Sequence, residues 1–229
     1  MLRLFSLLTC FLWTLLFSCQ QADVTVTDPG TDYAPLETGR FIIYDVTEQR
    51  YSLTAPPATT TYQLKETIGS PYTDVTGQPA YRLQRYRRAN AQAAWQTDSL
   101  WTARSNTQAA IRTENGADFV KLIFPLTERA EWNGNAYNQF QKDIYTLRQV
   151  RKPYTVGTQT FAETATVVQH SDSNLVAQDK RLEVYAKQIG MIYREVVQLQ
   201  FCSSGTCVGK GQIDFGVRRY VRLASYGKE

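Results

Sequence analysis

His170 is the only histidine of the chain, and Ser171, Asp172 and Ser173 follow it directly. A serine nucleophile would need that histidine as a facing base. Successive residues of an extended chain point to opposite sides, so this run builds no triad by itself. In a polar Asp-Ser-Asn stretch the default is a solvated turn. Glu128 and Glu131 offer the paired carboxylates of glycoside hydrolysis, but that chemistry requires them to flank a cleft. Gly209-Lys210-Gly211 lacks the rest of a phosphate loop. With one histidine and no carboxylates at ligand spacing, neither a metal nor another cofactor is expected. A hydrolase is the least favoured function reading.

The aromatics point to binding rather than reaction. Trp95, Trp101, Trp132 and Tyr137, with Asn133, are the candidate ligand contacts. They would offer stacking faces to a sugar or line an apolar groove. Period-two alternation over residues 95–102 places Trp95 and Trp101 on one face of a strand. The competing account is that such residues are core or cross-strand partners. Asn133-Gly134 is a turn signal, and Trp132 and Tyr137 would pack its loop down. Arg82, Arg85, Arg87 and Arg88 would meet anionic headgroups or glycans, or form a solvated sheet face, which is the preferred account.

The elements that must carry these residues are strands. Phe41–Val46 opens the first, and runs over 61–68, 80–88, 95–102 and 109–113 follow at short spacing. Glu114-Asn115-Gly116 makes a turn into Phe119–Phe124, the best candidate for a central strand, which stops at Pro125. A longer interruption over 127–143 has room for a short helix near 138–142. Strands resume over 144–150 and 161–169. Residues 182–195 read as strand–turn–strand hinged near Gly190, because their β-branched and aromatic content opposes a helix. A last hairpin runs 196–202 and 213–223. Short connections rich in Gly, Pro, Asn and Asp predict a mainly β fold. We expect a single antiparallel meander, a half-open barrel or sandwich, with at most one or two short helices. No internal repeat is present.

Met1–Ser18 has one basic residue, Arg3, followed by an apolar run ending at Leu16. The run is too short for a membrane span, which takes about 20 residues. It fits the h-region of a secretory signal. It closes on Leu16-Phe17-Ser18-Cys19, which resembles the lipobox of bacterial lipoproteins. The resemblance makes Cys19 the acylated first residue of the mature chain. Gln20 is not the aspartate that retains such proteins at the inner membrane of enterobacteria, which implies the outer membrane, on either face. A single acyl chain holds only marginally, at about 0.8 kcal/mol per buried methylene. The several chains of such a lipoprotein, palmitate among them, anchor stably. The division is therefore 1–18 signal peptide, 19–36 lipidated flexible tether, and 37–229 β-rich domain.

Composition agrees with one domain. The chain has 25 Lys+Arg and 21 Asp+Glu. Arg3 alone falls within the signal, so 24 basic residues remain against 21 acidic ones. They are dispersed, which excludes a nucleic-acid surface. A hydrophobic fraction of 43% that includes 14 Tyr and 10 Phe suffices for a core. Of the four cysteines, Cys10 leaves with the signal and Cys19 takes lipid. Cys202 and Cys207 flank a turn, Ser203-Ser204-Gly205-Thr206. In an oxidising envelope a disulfide is expected there, contributing about 2 kcal/mol for so small a loop. A redox-active pair is the alternative, though the spacing is Cys-x4-Cys.

Three stretches, Pro35–Tyr44, Phe119–Pro125 with Trp132–Asn138, and Glu183–Glu195, resemble uncharacterised outer-membrane lipoproteins of the Bacteroidota across nearly the whole mature chain. Pro35-Leu36 with Gly39 and Phe41, and Tyr185-Ala186 with Ile189-Gly190, are also similar to a wider set of envelope proteins with partly open β-barrels. The resemblance implies fold and address and supplies no catalytic residue. The reading is a non-catalytic envelope lipoprotein holding an apolar ligand or partner in a β half-barrel. The alternative is a surface glycan-binding module. Partners are the membrane and a lipid, glycan or envelope protein. Cys19→Ala should abolish acyl labelling and release the protein to the soluble fraction; persistent labelling would contradict the lipobox.

Overall fold

The computed structural model describes residues 28–229. The expected signal 1–18, with Cys10, and the expected acylation site Cys19 lie outside them. The described chain is a single antiparallel sheet of twelve strands, curled into a nearly closed barrel. Its strands are β1 (Arg40–Ser52), β2 (Ala55–Thr73), β3 (Pro79–Arg88), β4 (Gln96–Ser105), β5 (Ala109–Glu114) and β6 (Ala117–Ile123). The second half adds β7 (Glu131–Asn133), β8 (Ile144–Val156), β9 (Gln159–Ser173), β10 (Ala177–Ala186), β11 (Gly190–Phe201) and β12 (Ile213–Lys228). Two one-turn 3-10 helices, Thr31–Tyr33 and Gly205–Cys207, are the helices among the described residues. The expected helix near 138–142 is absent; those residues turn without forming one.

Consecutive strands pair except β6 and β7, the two ends of the order, and β1 pairs with β12 from Arg40↔Lys228 to Tyr51↔Gly216. Side-chain oxygens close several connections. The Asp74 carboxylate accepts from the Thr76 and Gln78 backbone amides at 2.8 and 3.0 Å. Asn106 does the same for Gln108 and Ala109, and Asn174 for Val176 and Ala177. These are the local bonds that make Asn and Asp turn residues. Asn115-Gly116 takes positive φ at both positions, 52° and 83°, as a tight hairpin between β5 and β6 requires.

β6 is the end of the strand order rather than its centre. Its apolar character has another cause: the segment around β7 covers its free edge. The Trp132 indole N–H donates to the Val120 carbonyl at 2.8 Å, and the Val120 amide donates to the Gly134 carbonyl at 2.9 Å. Asn138 donates to the Asp118 carbonyl at 2.8 Å, and Phe119 and Phe140 stack at 6.0 Å. Backbone groups that a ladder would satisfy are thus satisfied across the seam.

Residues 28–36, expected as the end of a flexible tether, pack against the barrel. They strap the end where β1 begins. Tyr33 is fully buried, the Leu126 amide donates to the Pro29 carbonyl, and the Gln188 amide donates to the Asp32 carbonyl at 2.8 Å. Lys187 reaches Asp28 at 2.8 Å and Glu163 at 3.2 Å. The main core gathers Tyr44, Val46, Leu122, Leu147 and Val167. A smaller cluster joins Val156 and Phe161 of the β8–β9 hairpin to Val184 and Ile192. Cys202 and Cys207 form a disulfide, with Cα atoms 5.8 Å apart, in the loop between β11 and β12. Trp132→Phe keeps a ring at the seam but orphans the Val120 carbonyl. It should cost about 1–3 kcal/mol in urea unfolding, and an unchanged midpoint would show that the indole bond does not hold the seam.

Candidate ligand-binding lumen

Alternation along β2 sends Tyr62, Leu64 and Glu66 inward, since they pair with the inward Val46, Tyr44 and Ile42 of β1. On β3 the same parity carries Leu83, Arg85 and Arg87 inward, opposite Ile68, Glu66 and Leu64. The four arginines of this strand are therefore split between two environments. Arg85 and Arg87 face the lumen, while Arg82 lies over Tyr72 and Arg88 over Trp95 outside. A wholly solvated basic face is not what the chain builds.

Inside, carboxylates and cations bridge strands that are far apart in the sheet. Glu66 accepts from Arg85 at 3.1 Å and from Arg112 of β5 at 2.9 Å through both oxygens. Glu114, at the end of β5, binds Lys121 at 2.9 Å and lies 3.7 Å from Arg194 of β11. Glu183 of β10 meets Lys121 at 3.1 Å and Arg194 at 3.4 Å, and accepts from the Tyr185 hydroxyl at 2.6 Å. A register shift leaves Lys121 without a partner between the pairs Ala110↔Leu122 and Ile111↔Val120. Such bulges re-aim a side chain, and this one delivers an ammonium to two buried carboxylates.

Burial pushes each of these carboxyls up, and the neighbouring cations more than reverse it. Glu66 is held below the usual range by Arg112 and Arg85, Glu114 by Lys121, Arg194 and Arg112, and Glu183 by Lys121 and Arg194. Burial raises the Tyr185 phenol, and the Glu183 charge raises it further. It therefore stays a neutral donor.

The belt divides the interior. Towards the strapped end lies an apolar pocket of about 80 Å³, lined by Ile42, Tyr44, Leu83, Ala103 and Met191 and floored by Pro35 and Leu36. At the other end a cavity of about 430 Å³ opens among Tyr62, Arg85, Arg87, Trp101, Arg194 and Arg219. Arg219 is paired with Glu48 at 2.5 Å.

The predicted contact residues do not assemble. Trp101 lines the mouth, but its ring is already covered by the Arg85 guanidinium, 3.6 Å from the centroid, and its N–H donates to Asn115 at 3.3 Å. Trp95 is on the opposite face. Arg85 pairs with Ser99 and Tyr86 with Thr97, leaving Asp98 unpaired, so the bulge reverses the parity on which a common face depends. Trp132 is buried at the seam. The Asn133 side chain accepts from the Asn135 and Asp143 amides at 3.1 and 3.0 Å and fixes its own loop. Tyr137 is exposed in that loop.

His170 is exposed on β9 opposite Arg181. Glu128 accepts from the Val150 amide, and Glu131 is exposed. Residue-by-residue reading missed Glu66, Arg112, Glu114, Lys121, Glu183 and Arg194. Their signal was charge on both parities of one strand, as in Lys65 beside Glu66.

No protein-family model and no curated relative matches the chain. Among solved structures it is similar to a putative lipoprotein from Parabacteroides distasonis at a TM-score of 0.43 and 9% identity, over 87% of this chain and 100% of that one. A likeness at that level bears on neither ligand nor role.

Lys121→Met removes the closest cation of both Glu114 and Glu183 and leaves them the looser contacts of Arg194. Removing one partner of a buried pair costs about 3–5 kcal/mol, so the urea midpoint should fall steeply. A loss under about 1 kcal/mol would mean that the belt is solvated.

Proposed function

We propose that this protein is a non-catalytic lipoprotein of the bacterial outer membrane, anchored through Cys19, whose barrel binds a small polar ligand at its open mouth. The observation that carries this reading is the asymmetry of the lumen. One end is shut by residues 28–36 and the charged belt, and the other holds a cavity of about 430 Å³. Ligand pockets usually measure about 300–1,000 Å³. The apolar pocket, about 80 Å³, is too small for an acyl chain, which favours a polar ligand over the apolar one expected from the aromatics.

The anchor rests on Leu16-Phe17-Ser18-Cys19, and the outer-membrane address on Gln20 after it. The described chain enters at the strapped end, so the mouth lies at the end of the barrel remote from residue 28. The non-catalytic reading is supported by the belt carboxylates Glu66, Glu114 and Glu183: each is bound to cations that hold it below the usual range, which suits neither a general acid nor a free base. A glycan-binding module remains the second reading in one form only, a sugar seated in the mouth, because Trp95, Trp132 and Tyr137 share no platform.

Native mass spectrometry of the full acylated protein from its host envelope should show a non-covalent polar adduct of small mass. A co-purifying lipid would overturn the ligand class, and an unacylated mature mass would overturn the anchor.

A further inference from the structure

We propose that the mouth is an oxyanion site, taking a small ligand through a carboxylate or phosphate group that Arg87 and Arg194 hold. The inference rests on the mouth being the ligand-binding end. Four guanidiniums line this cavity, from Arg85, Arg87, Arg194 and Arg219, against the two carboxylates of Asp98 and Glu114. The cations are not equally engaged. Arg85 is committed to Glu66 and Asp98, and Arg219 to Glu48.

Arg87 makes no ion pair among the described residues. Its guanidinium lies 3.8 Å from the centroid of the Tyr62 ring, which orients its plane without using its hydrogen-bond donors. Arg194 spans Glu114 and Glu183 loosely: one terminal nitrogen lies 3.7 Å from Glu114, and its buried Nε lies 3.4 Å from Glu183 without making a hydrogen bond among the described residues.

A guanidinium presents a planar fork of donors that matches carboxylate and phosphate geometry. A cleft dominated by one sign of charge and walled by low-dielectric protein concentrates its field on an entering ion. The belt adds a reason why the site does not collapse onto its own acids. Lys121 and Arg112 already hold Glu114 and Glu183 below the rim, so those carboxylates do not compete for Arg87. A neutral sugar would leave Arg87 without a charged acceptor.

The test is isothermal titration of the full-length acylated protein in detergent with D-glucuronate, inorganic phosphate and D-glucose. The variant is Arg87→Gln, at an exposed position whose loss leaves the belt intact. Glucuronate or phosphate should bind, weaken with added salt, and weaken about tenfold or more in Arg87→Gln. Which of the two binds more tightly separates a carboxylate source from a phosphate source.

Phosphate binding that Arg87→Gln leaves unchanged would be an adventitious ion only and would overturn the proposal. Glucose binding as tightly as glucuronate would overturn the anionic assignment while leaving the mouth as the binding end. Absence of binding by all three would also overturn the assignment, and the co-purifying mass would then decide the broader reading independently.

Discussion

Eight strands close a barrel whose own side chains just fill it, and larger barrels enclose space that something else must occupy. Twelve strands leave more lumen than short aliphatic side chains can span. Long charged side chains span it here, from Glu66 to Arg112, from Lys121 to Glu183, and from Arg194 to Glu114. Desolvating these groups is costly, and only mutual pairing with good geometry offsets it. The belt therefore acts as a set of cross-braces. β5 and β6 are tied through the lumen to β10 and β11, strands they never meet in the ladder.

The other features follow from those braces. With β6 tied to β10, the free edges of β6 and β7 are held close enough for Trp132, Gly134 and Asn138 to close the seam. The strap at residues 28–36 covers the apolar side of the belt, where Pro35 and Leu36 line the apolar pocket and Tyr33 is fully buried, its hydroxyl without a partner among the described residues. Above the belt, four guanidiniums and two carboxylates line the mouth cavity. The belt residues Glu114 and Arg194 thus both brace the barrel and line the proposed binding mouth.

The meander and its turns were legible because they depend on local chemistry. Asp74, Asn106, Asn174 and Asn115-Gly116 close their connections with bonds to residues a few positions away. The strand–turn–strand at Gly190 and the Cys202–Cys207 staple were readable for the same reason. What was hidden depends on register. One unpaired residue, Asp98, moved Trp95 out of the face shared with Trp101, and another bulge turned Lys121 inward. Arg85 and Arg87 read as solvent-facing because a charged residue on a strand usually is. Only the non-local positions of Glu66 and Arg194 show that the solvent side of that alternation is a lumen.

The most direct measurement of this account is a carbon-detected NMR titration of the glutamate carboxyls of the folded protein. A free glutamate titrates near pH 4.3. Because the folded-state carboxyls of Glu66, Glu114 and Glu183 lie below that value, their stabilisation is fully present above it. It is lost as the pH falls through their own lower range. These three should stay ionised below about pH 4.3 and protonate only as the barrel unfolds. Titration of all three at the ordinary value, in a barrel that stays folded, would contradict a lumen built on buried ion pairs.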